Sequence, residues 1–197
     1  MNQKTFDADY YRRFYLDPKT QVRDISKPSP LSQYIFGFMG HFQLPVQRVL
    51  DLGCGLGQWK KELAKFYPKA QYTGVEYSPY LCEKFGWIQG SASNFKGQGQ
   101  YDLVICQSVF QYLSDKEAIA GIANLARLCR GVVYLEIITA YDWKNNCDQN
   151  VTDGKVFLRT GAWYRKYLNR YFKNIGGGIF IPKTSEVIFY ELERPGL

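Results

Sequence analysis

The segment Val49–Trp59, with the sequence VLDLGCGLGQW, constrains the fold more than any other part of the chain. A short apolar run leads into three glycines at alternate positions, Gly53, Gly55 and Gly57, and an amphipathic pattern follows them. Glycine adopts positive φ readily and lets a ligand approach the backbone, because it has no Cβ. A helix that starts behind such a turn also offers free N–H groups. The pattern predicts a buried strand, a ligand-binding turn and a helix, and a nucleotide-like cofactor fits this arrangement.

Apolar and amphipathic runs alternate along the rest of the chain. Apolar periodicity and cap residues predict five strands over 47–52, 71–77, 87–93, 101–107 and 131–138, and helices over 31–42, 57–67, 78–86, 114–129 and 161–172. Two β-rich runs around a short turn predict a closing hairpin from 177–183 and 186–193. Strands that alternate with helices form a parallel sheet with helices on both faces. The predicted fold class is therefore α/β, with a mostly parallel seven-stranded sheet and a C-terminal antiparallel hairpin.

Charge is distributed unevenly along the 197 residues, whose net charge is +7. Residues 1–48 carry seven basic and four acidic side chains, and residues 155–197 carry eight and three, so these flanks have net charges of +3 and +5. The segment 49–154 carries ten and eleven, a net charge of −1. The basic flanks are consistent with a solvated basic surface, or with a surface that attracts an anionic substrate or nucleic acid.

The cysteines and the single histidine restrict the chemistry. Five cysteines form no CxxC pair, so we expect reduced thiols in a cytoplasmic protein. With His41 as the only histidine, we expect no metal site. Asp7 and Asp9 stand where a signal peptide needs apolar residues, and no apolar run approaches the roughly 20 residues of a spanning helix. We therefore expect no membrane segment.

Two side chains distinguish between possible cofactors. A dinucleotide fingerprint, G-x-G-x-x-G, would need its third glycine at position 58, where this chain has Gln58. The acidic Asp51 precedes the first glycine by two residues. Glu76, at the end of the second predicted strand, can accept both hydroxyls of a ribose, a role that both cofactor classes use. Gln58 and Asp51 therefore favour a cofactor other than a dinucleotide.

Three segments, VLDLGCGLG, YTGVEYS and YDLVICQSVFQYL, together resemble successive motifs of the class I S-adenosylmethionine-dependent methyltransferases. The resemblance covers residues 47–138. It implies a Rossmann-like methyltransferase fold, S-adenosylmethionine as cofactor and S-adenosylhomocysteine as product. By this resemblance the methionine end would be bordered by Asp51, Gly53, Cys54 and Gly55, with Gln58 and Trp59 behind them. The resemblance also implies Glu76 at the ribose, Tyr77, Ser91, Ala92 and Ser93 around the adenine, and Gln107 and Ser108 between cofactor and acceptor. Ser91 departs from the usual acidic residue of that loop.

The resemblance implies in-line transfer of a methyl group, and a strong base is needed only when the acceptor is protonated. The candidate catalytic residues are Glu136, Asp142 and Tyr112, with His41 and Tyr141 as further candidates.

The family's members that methylate nucleic-acid bases have Asn/Asp-Pro-Pro-aromatic or Pro-Cys signatures, which this chain lacks. We therefore predict an O or N atom of a small molecule, acidic or aromatic, as acceptor. The alternatives are a protein or RNA acceptor, a non-catalytic cofactor-binding subunit and a dinucleotide oxidoreductase. The sequence does not predict the oligomeric state.

Aromatic residues near the start of the chain form a separate group. Tyr10, Tyr11, Phe14 and Tyr15 cluster with two arginines in the segment DADYYRRFY, residues 7–15. Aromatic faces attract a sulfonium cation. We expect one domain over 1–197, with residues 1–45 as an N-terminal lid that brings Tyr11 to the cofactor, and residues 46–197 as the catalytic core. An amphipathic helix packed on the sheet is the alternative. The loop 140–150, with Trp143, is a second candidate wall of the acceptor site.

Overall fold

A computed structural model describes residues 6–22, 24, 26–27 and 29–190. The strands are β1 (Arg48–Leu52), β2 (Gln71–Glu76), β3 (Ile88–Gln89), β4 (Tyr101–Gln107), β5 (Cys129–Glu136), β6 (Phe172–Gly176) and β7 (Ile179–Pro182). The α-helices are α1 (Ala8–Tyr11), α2 (Pro30–His41), α3 (Gln58–Phe66), α4 (Pro79–Phe85), α5 (Asp115–Leu128), α6 (Ala140–Asn145) and α7 (Gly161–Tyr171). A π-helical turn, Arg12–Leu16, continues α1, and a 3-10 turn, Phe110–Tyr112, precedes α5.

The seven strands form one sheet in the order β3-β2-β1-β4-β5-β7-β6. The pairs that join β3, β2, β1, β4 and β5 are parallel, whereas β7 is antiparallel to both β5 and β6. This topology confirms the predicted α/β fold with its C-terminal antiparallel pair. Because the parallel strands share one direction, their carboxyl ends meet along one edge of the sheet, which is where such folds bind ligands.

The core has two layers because successive side chains of a strand point to opposite faces. On β5, Val133 and Leu135 join a cluster with α5 and α7, whereas Val132 and Tyr134 join a second cluster with α2 and α3. Both clusters consist largely of side chains that are fully buried. Helices therefore cover both faces of the sheet, as predicted.

Helix ends follow the cap residues of the sequence. Ser78 caps α4 by accepting a hydrogen bond from the backbone N–H of Leu81, and Gly86 ends that helix in the left-handed region. Ser114 and Glu117 form a complete capping box at the start of α5. These local signals fix where α4 and α5 begin. They also fix the lengths of the loops that connect β2 to α4 and β4 to α5.

Four predicted boundaries need correction. The antiparallel pair is β6 with β7, not 177–183 with 186–193, because positive φ at Gly176, Gly177 and Gly178 places the turn there. Residues 186–190 lie in no strand, and 191–193 lie outside the described residues. The third strand is only Ile88–Gln89, and the segment 140–150, predicted as a loop, contains α6. Within the described ranges, no helix is long and apolar enough to cross a membrane.

Candidate cofactor and acceptor site

The glycine turn connects β1 to α3 at the carboxyl edge of the sheet. Gly53, Gly55 and Gly57 have φ values of 80°, 51° and 75°, which side chains rarely adopt. A Cβ at Gly53 would collide with Val109, and one at Gly57 would lie 2.8 Å from the Trp87 ring. A Cβ at Gly55 would find no atom nearer than the Gly53 carbonyl oxygen at 4.0 Å. The three glycines thus have different functions: two allow close packing, and Gly55 leaves open space for a ligand.

The carboxylate of Glu76 lies beside this turn and is buried. Its Oε2 accepts a hydrogen bond of 2.8 Å from the backbone N–H of Gly55. Its Oε1 accepts from the backbone N–H groups of Tyr77 and Ser78 at 2.9 and 3.0 Å, and from the Tyr11 hydroxyl at 3.4 Å. Four donors therefore hold the carboxylate in one orientation at the carboxyl end of β2.

The first residues of α3 place hydrogen-bond donors beside the same turn. Gly57 is its N-cap residue in a left-handed conformation and supplies no side-chain cap. The amide Nε2 of Gln58, the first helical residue, is buried without a hydrogen-bond partner in the described part of the chain. A buried donor without a partner is unfavourable unless a ligand satisfies it. The helix start and Gln58 therefore suit an anionic group such as a carboxylate.

Asp51, at the end of β1, is a buried carboxyl with an unusual environment. Burial raises its pKa to about 7, and Glu76 adds to this effect, although a 2.6 Å hydrogen bond from the Tyr72 hydroxyl opposes it. Near neutral pH this carboxyl is poised between its two protonation states. Burial also raises the pKa of the Cys54 thiol, with further contributions from Asp51 and Glu76. Cys54 is thus a buried, protonated thiol and not an activated nucleophile.

The loop after β3 contains the residues predicted to flank the adenine. The hydroxyls of Ser91 and Ser93 lie 3.0 Å apart, and the Ser91 carbonyl begins a turn by accepting the backbone N–H of Phe95. Ala92 packs in the core, and its carbonyl accepts a 3.0 Å hydrogen bond from Asn124. By contrast, Tyr77 at the end of β2 is 45% exposed. The two serines and Tyr77 are therefore more accessible to a ligand than Ala92.

A chain of polar contacts joins the carboxyl ends of β4 and β5. The Trp59 indole Nε1 donates to Gln107 Oε1 at 2.9 Å, and Gln107 Nε2 donates to Glu136 Oε1 at 3.2 Å. The Ser108 hydroxyl donates to the same Glu136 oxygen at 2.9 Å, and the Tyr134 hydroxyl donates to Oε2 at 2.8 Å. Ser108 has a φ of 55°, which a residue with a side chain rarely adopts. Glu136 thus fixes the orientation of Gln107 and Ser108.

The N-terminal segment covers this edge of the sheet. The Ser78 hydroxyl donates to the Phe6 carbonyl, and the Phe6 ring lies 5.3 Å from that of Tyr112. The hydroxyls of Tyr10 and Tyr112 lie 3.1 Å apart, and Tyr11 is buried with its hydroxyl on Glu76. The structure thereby brings Tyr11 and Tyr112, which are far apart in sequence, to the same edge as the glycine turn.

The predicted catalytic residues differ in what they can do. Burial raises the pKa of the Tyr112 hydroxyl, so it remains protonated at neutral pH and can donate a hydrogen bond. Asp142 closes the capping box of α6, and hydrogen bonds from Thr139 lower the pKa of its carboxyl. A carboxylate with a lowered pKa is a weak base. Tyr141 is 70% exposed, and His41 ends α2 at the side from which β1 starts. Glu136 and Tyr112 are therefore the two best-placed candidates.

Sequence reasoning missed several residues of this region. Tyr134 supports Glu136, Val109 packs beside Gly53, and Arg159 is buried beside the turn that carries Tyr112. Tyr134 carried a weak signal, because it alternates with Glu136 on one strand and must share its face. Arg159 carried none, since nothing in a sequence distinguishes a buried arginine from an exposed one. In the described ranges, no group of three or more His, Cys, Asp or Glu residues could hold a metal ion.

Comparisons with known proteins agree with this geometry. Residues 49–131 match the family model for the methyltransferase domain. A malonyl-[acyl-carrier protein] O-methyltransferase from Anoxybacillus flavithermus is 34% identical over 90 residues, which are 41% of this chain and 35% of that protein. A trans-aconitate 2-methyltransferase from Deinococcus radiodurans is 26% identical over 172 residues, 82% of this chain and 60% of that protein.

Among solved structures, magnesium protoporphyrin IX methyltransferase from Synechocystis PCC 6803, with bound SAM, has a TM-score of 0.56 and 22% identity. The similarity covers 83% of this chain and 79% of that one, and it shows a shared fold. The chain matches only 35% and 60% of the length of the two curated relatives.

Proposed function

We propose that this chain, a member of the class I S-adenosylmethionine-dependent methyltransferases, transfers a methyl group from that cofactor to an O or N atom of a small-molecule acceptor. The observation that carries the proposal is the glycine turn, where open space at Gly55 lies between the anchored Glu76 carboxylate and the unsatisfied Gln58 amide. These groups suit a ligand with hydroxyls at one end and a carboxylate at the other.

The residues present fit S-adenosylmethionine. Gln58 Nε2 and the start of α3 would hold its carboxylate, and Asp51 would lie near its ammonium group. Glu76 would accept the ribose hydroxyls, with Tyr77, Ser91 and Ser93 around the adenine. When bound, this cofactor supplies a methyl group already activated by a sulfonium charge. The protein then has to align the acceptor and exclude water from the site.

We propose a single domain in which residues 1–45 act as a lid. Two contacts support this role: the Tyr11 hydroxyl lies on Glu76, and the Tyr10 hydroxyl lies on Tyr112. The first links the lid to the cofactor half of the site, and the second links it to the acceptor half. Removal of residues 1–16 should therefore weaken S-adenosylhomocysteine binding and slow turnover. Unchanged affinity and turnover would contradict the lid.

On the acceptor side, we propose that Ser108 and Gln107 border the passage between cofactor and acceptor, and that Tyr112 donates a hydrogen bond to the acceptor. Glu136 serves this arrangement by holding Gln107 and Ser108. Gln107, Ser108 and Tyr134 all donate to its carboxylate oxygens, so we assign Glu136 the role of orienting these neighbours and not that of a base. The proposed reaction therefore uses an acceptor that arrives deprotonated.

The names of the two curated relatives suggest where acceptor screening should begin. Malonyl groups and trans-aconitate both carry free carboxylates, which are deprotonated at neutral pH and need no base. The basic excess of the chain also favours an acidic acceptor. Small carboxylic acids are thus the first acceptors to test, followed by phenols and amines. A protein or RNA acceptor is the alternative within this class, and a non-catalytic cofactor-binding subunit is the alternative outside it.

Titration calorimetry with S-adenosylhomocysteine tests the proposal. The wild type should bind, NAD should give no heat, and Glu76→Ala should bind at least about tenfold more weakly, equivalent to 1.4 kcal/mol. Glu83→Ala is the matched control, because Glu83 is an exposed acid on the helix that follows Glu76. A folded wild type that gives no heat with S-adenosylhomocysteine would refute the cofactor assignment.

Binding without turnover against any acceptor would instead favour the non-catalytic subunit, and a copurifying partner would support that outcome.

We also infer a cytoplasmic location, because all five cysteines are free thiols. Cell fractionation of the tagged protein would test it, and recovery in the extracytoplasmic fraction would contradict it.

A further inference from the structure

Arg159 is an arginine that is only 6% exposed. It lies between α6 and α7, in the segment that follows β5 on the acceptor side of the sheet. Its guanidinium is 4.8 Å from the centre of the Trp163 ring and is also near the rings of Phe157 and Tyr164. A buried guanidinium is costly unless its donors are satisfied, so its partners indicate its role.

Those partners belong to the turn after β4 and to the starts of two helices. Nη1 donates to the Phe110 carbonyl at 3.3 Å and to the Tyr164 hydroxyl at 2.9 Å, and Nη2 donates to the Leu113 carbonyl. Nε donates to Asp115 at 2.7 Å. Phe110 begins the 3-10 turn that carries Tyr112, and Leu113 follows it, so one planar group holds both ends of that turn.

The backbone around Arg159 adds two more links. The Ala140 N–H, at the start of α6, donates to the Arg159 carbonyl at 2.8 Å. The Phe157 N–H donates to the Gln111 carbonyl at 2.7 Å, and Gln111 Nε2 donates to the Ser108 carbonyl at 2.9 Å. Arg159 therefore connects three pieces of the acceptor side: the turn 108–113, the start of α6 and the start of α7.

We propose that Arg159 is a positioning residue for the acceptor. By holding the turn 108–113 on the segment 155–160, Arg159 fixes the positions of Tyr112 and Ser108. The proposal rests on the proposed function and deepens it, because it separates acceptor alignment from cofactor binding. Within the described part of the chain, none of the Arg159 hydrogen bonds or ring contacts reaches the glycine turn or Glu76. Changes at Arg159 should thus alter the acceptor half more than the cofactor half.

Arg159→Met tests this, since methionine keeps an unbranched apolar stem and removes every donor. Hydrogen exchange, followed by mass spectrometry, should be faster in peptides over 108–115 and 155–161 and should change less over 53–60, where Gly53 packs beside Val109. The dissociation constant of S-adenosylhomocysteine should stay within about twofold of wild type, because Arg159 itself contacts none of the described groups proposed to hold the cofactor. With an acceptor from the screen, kcat/KM for that acceptor should fall by roughly tenfold to hundredfold.

Arg159→Lys separates charge from geometry. Lysine keeps the charge but cannot reach both carbonyls as a fork, so we expect it to rescue little. Arg165→Met, at an exposed arginine on α7, is the matched control and should behave as wild type. Asp115→Asn leaves the carbonyl contacts in place and should cause a smaller change in the same direction, and it replaces Arg159→Met if that variant does not fold.

Two results would overturn the proposal: unchanged exchange over 108–115, or a loss of S-adenosylhomocysteine affinity as large as the loss of turnover. A wild type that does not bind S-adenosylhomocysteine would refute the proposed function instead. In that case the exchange comparison still shows whether Arg159 holds the turn.

Discussion

Replacing Asp51 by asparagine should stabilise the ligand-free protein at alkaline pH. The carboxyl is buried and accepts a hydrogen bond from the Tyr72 hydroxyl. Burial raises its pKa to about 7, compared with 3.8 for an ordinary aspartate. Asparagine has nearly the same shape, keeps an acceptor for Tyr72 and carries no charge at any pH. The substitution therefore removes the cost of a buried charge with little change in packing.

The sign of the effect follows from proton linkage. Below pH 3.8 the carboxyl is protonated in both the folded and the unfolded chain, so its ionisation contributes nothing to stability. Between pH 3.8 and about 7 the unfolded chain loses this proton while the folded chain keeps it, and the wild type loses stability as pH rises. Above pH 7 the loss is complete at about 4 kcal/mol, the equivalent of the pKa difference.

The amide introduces a cost of its own, because its N–H groups need partners in a buried site. That cost is about 1–3 kcal/mol and is independent of pH. Asp51→Asn should therefore raise the free energy of unfolding by about 1–3 kcal/mol at pH 8, and leave it equal or lower at pH 4. The difference between variant and wild type should change by about 4 kcal/mol across this range.

Urea unfolding at several pH values between 4 and 8, followed by circular dichroism, measures this difference. Asp102→Asn is the matched control. Asp102 is equally buried, but it accepts hydrogen bonds from the backbone of Gln47 and Arg48 and pairs with Arg130 at 2.8 Å. Its replacement should destabilise the protein at pH 8. A stability difference for Asp51→Asn that does not vary with pH would refute the reasoning.

Two further substitutions test the packing of the glycine turn and the start of a helix. Gly53→Ala should lower the free energy of unfolding by about 1–3 kcal/mol in urea melts, because its φ is 80° and its Cβ would meet Val109. Val109→Ala in the same chain should restore part of the loss, and no restoration would point to backbone strain alone. Ser114→Ala should cost about 0.5–2 kcal/mol by the same measurement, since it removes the capping box of α5, and an unchanged midpoint would contradict the role of that cap.

The sequence predicted the parts of the fold that local patterns control. The strand over 101–107, the caps at Ser78 and Ser114 and the glycine turn lie where they were predicted. Each has a signal within a few residues, such as an apolar run or a cap side chain. The C-terminal pair was misplaced because the run 186–193 is as β-rich as the run that pairs, and only tertiary contacts distinguish them.

The site was predictable where motifs set it and unpredictable where distant segments meet. Glu76 and Gly55 lie at the ends of neighbouring strands, so parallel topology brings them together. The aromatic cluster predicted that Tyr11 approaches the cofactor, but its contact with Glu76 has no local signal, and the contacts of Arg159 depend on how three loops pack. The sequence also could not predict that the three glycines have different functions, because Val109 and Trp87, which pack on two of them, are remote in sequence.

The position of β1 in the sheet has a consequence for folding. β1 pairs with β2 on one side and with β4 on the other, where Leu50 lies opposite Val104. A nascent chain that ends before β4 would contain the complete glycine motif and Glu76 but not the central pairing of the sheet. The central pairing of the sheet, and the packing of Val109 beside Gly53, therefore need β4 and the turn after it to have been synthesised.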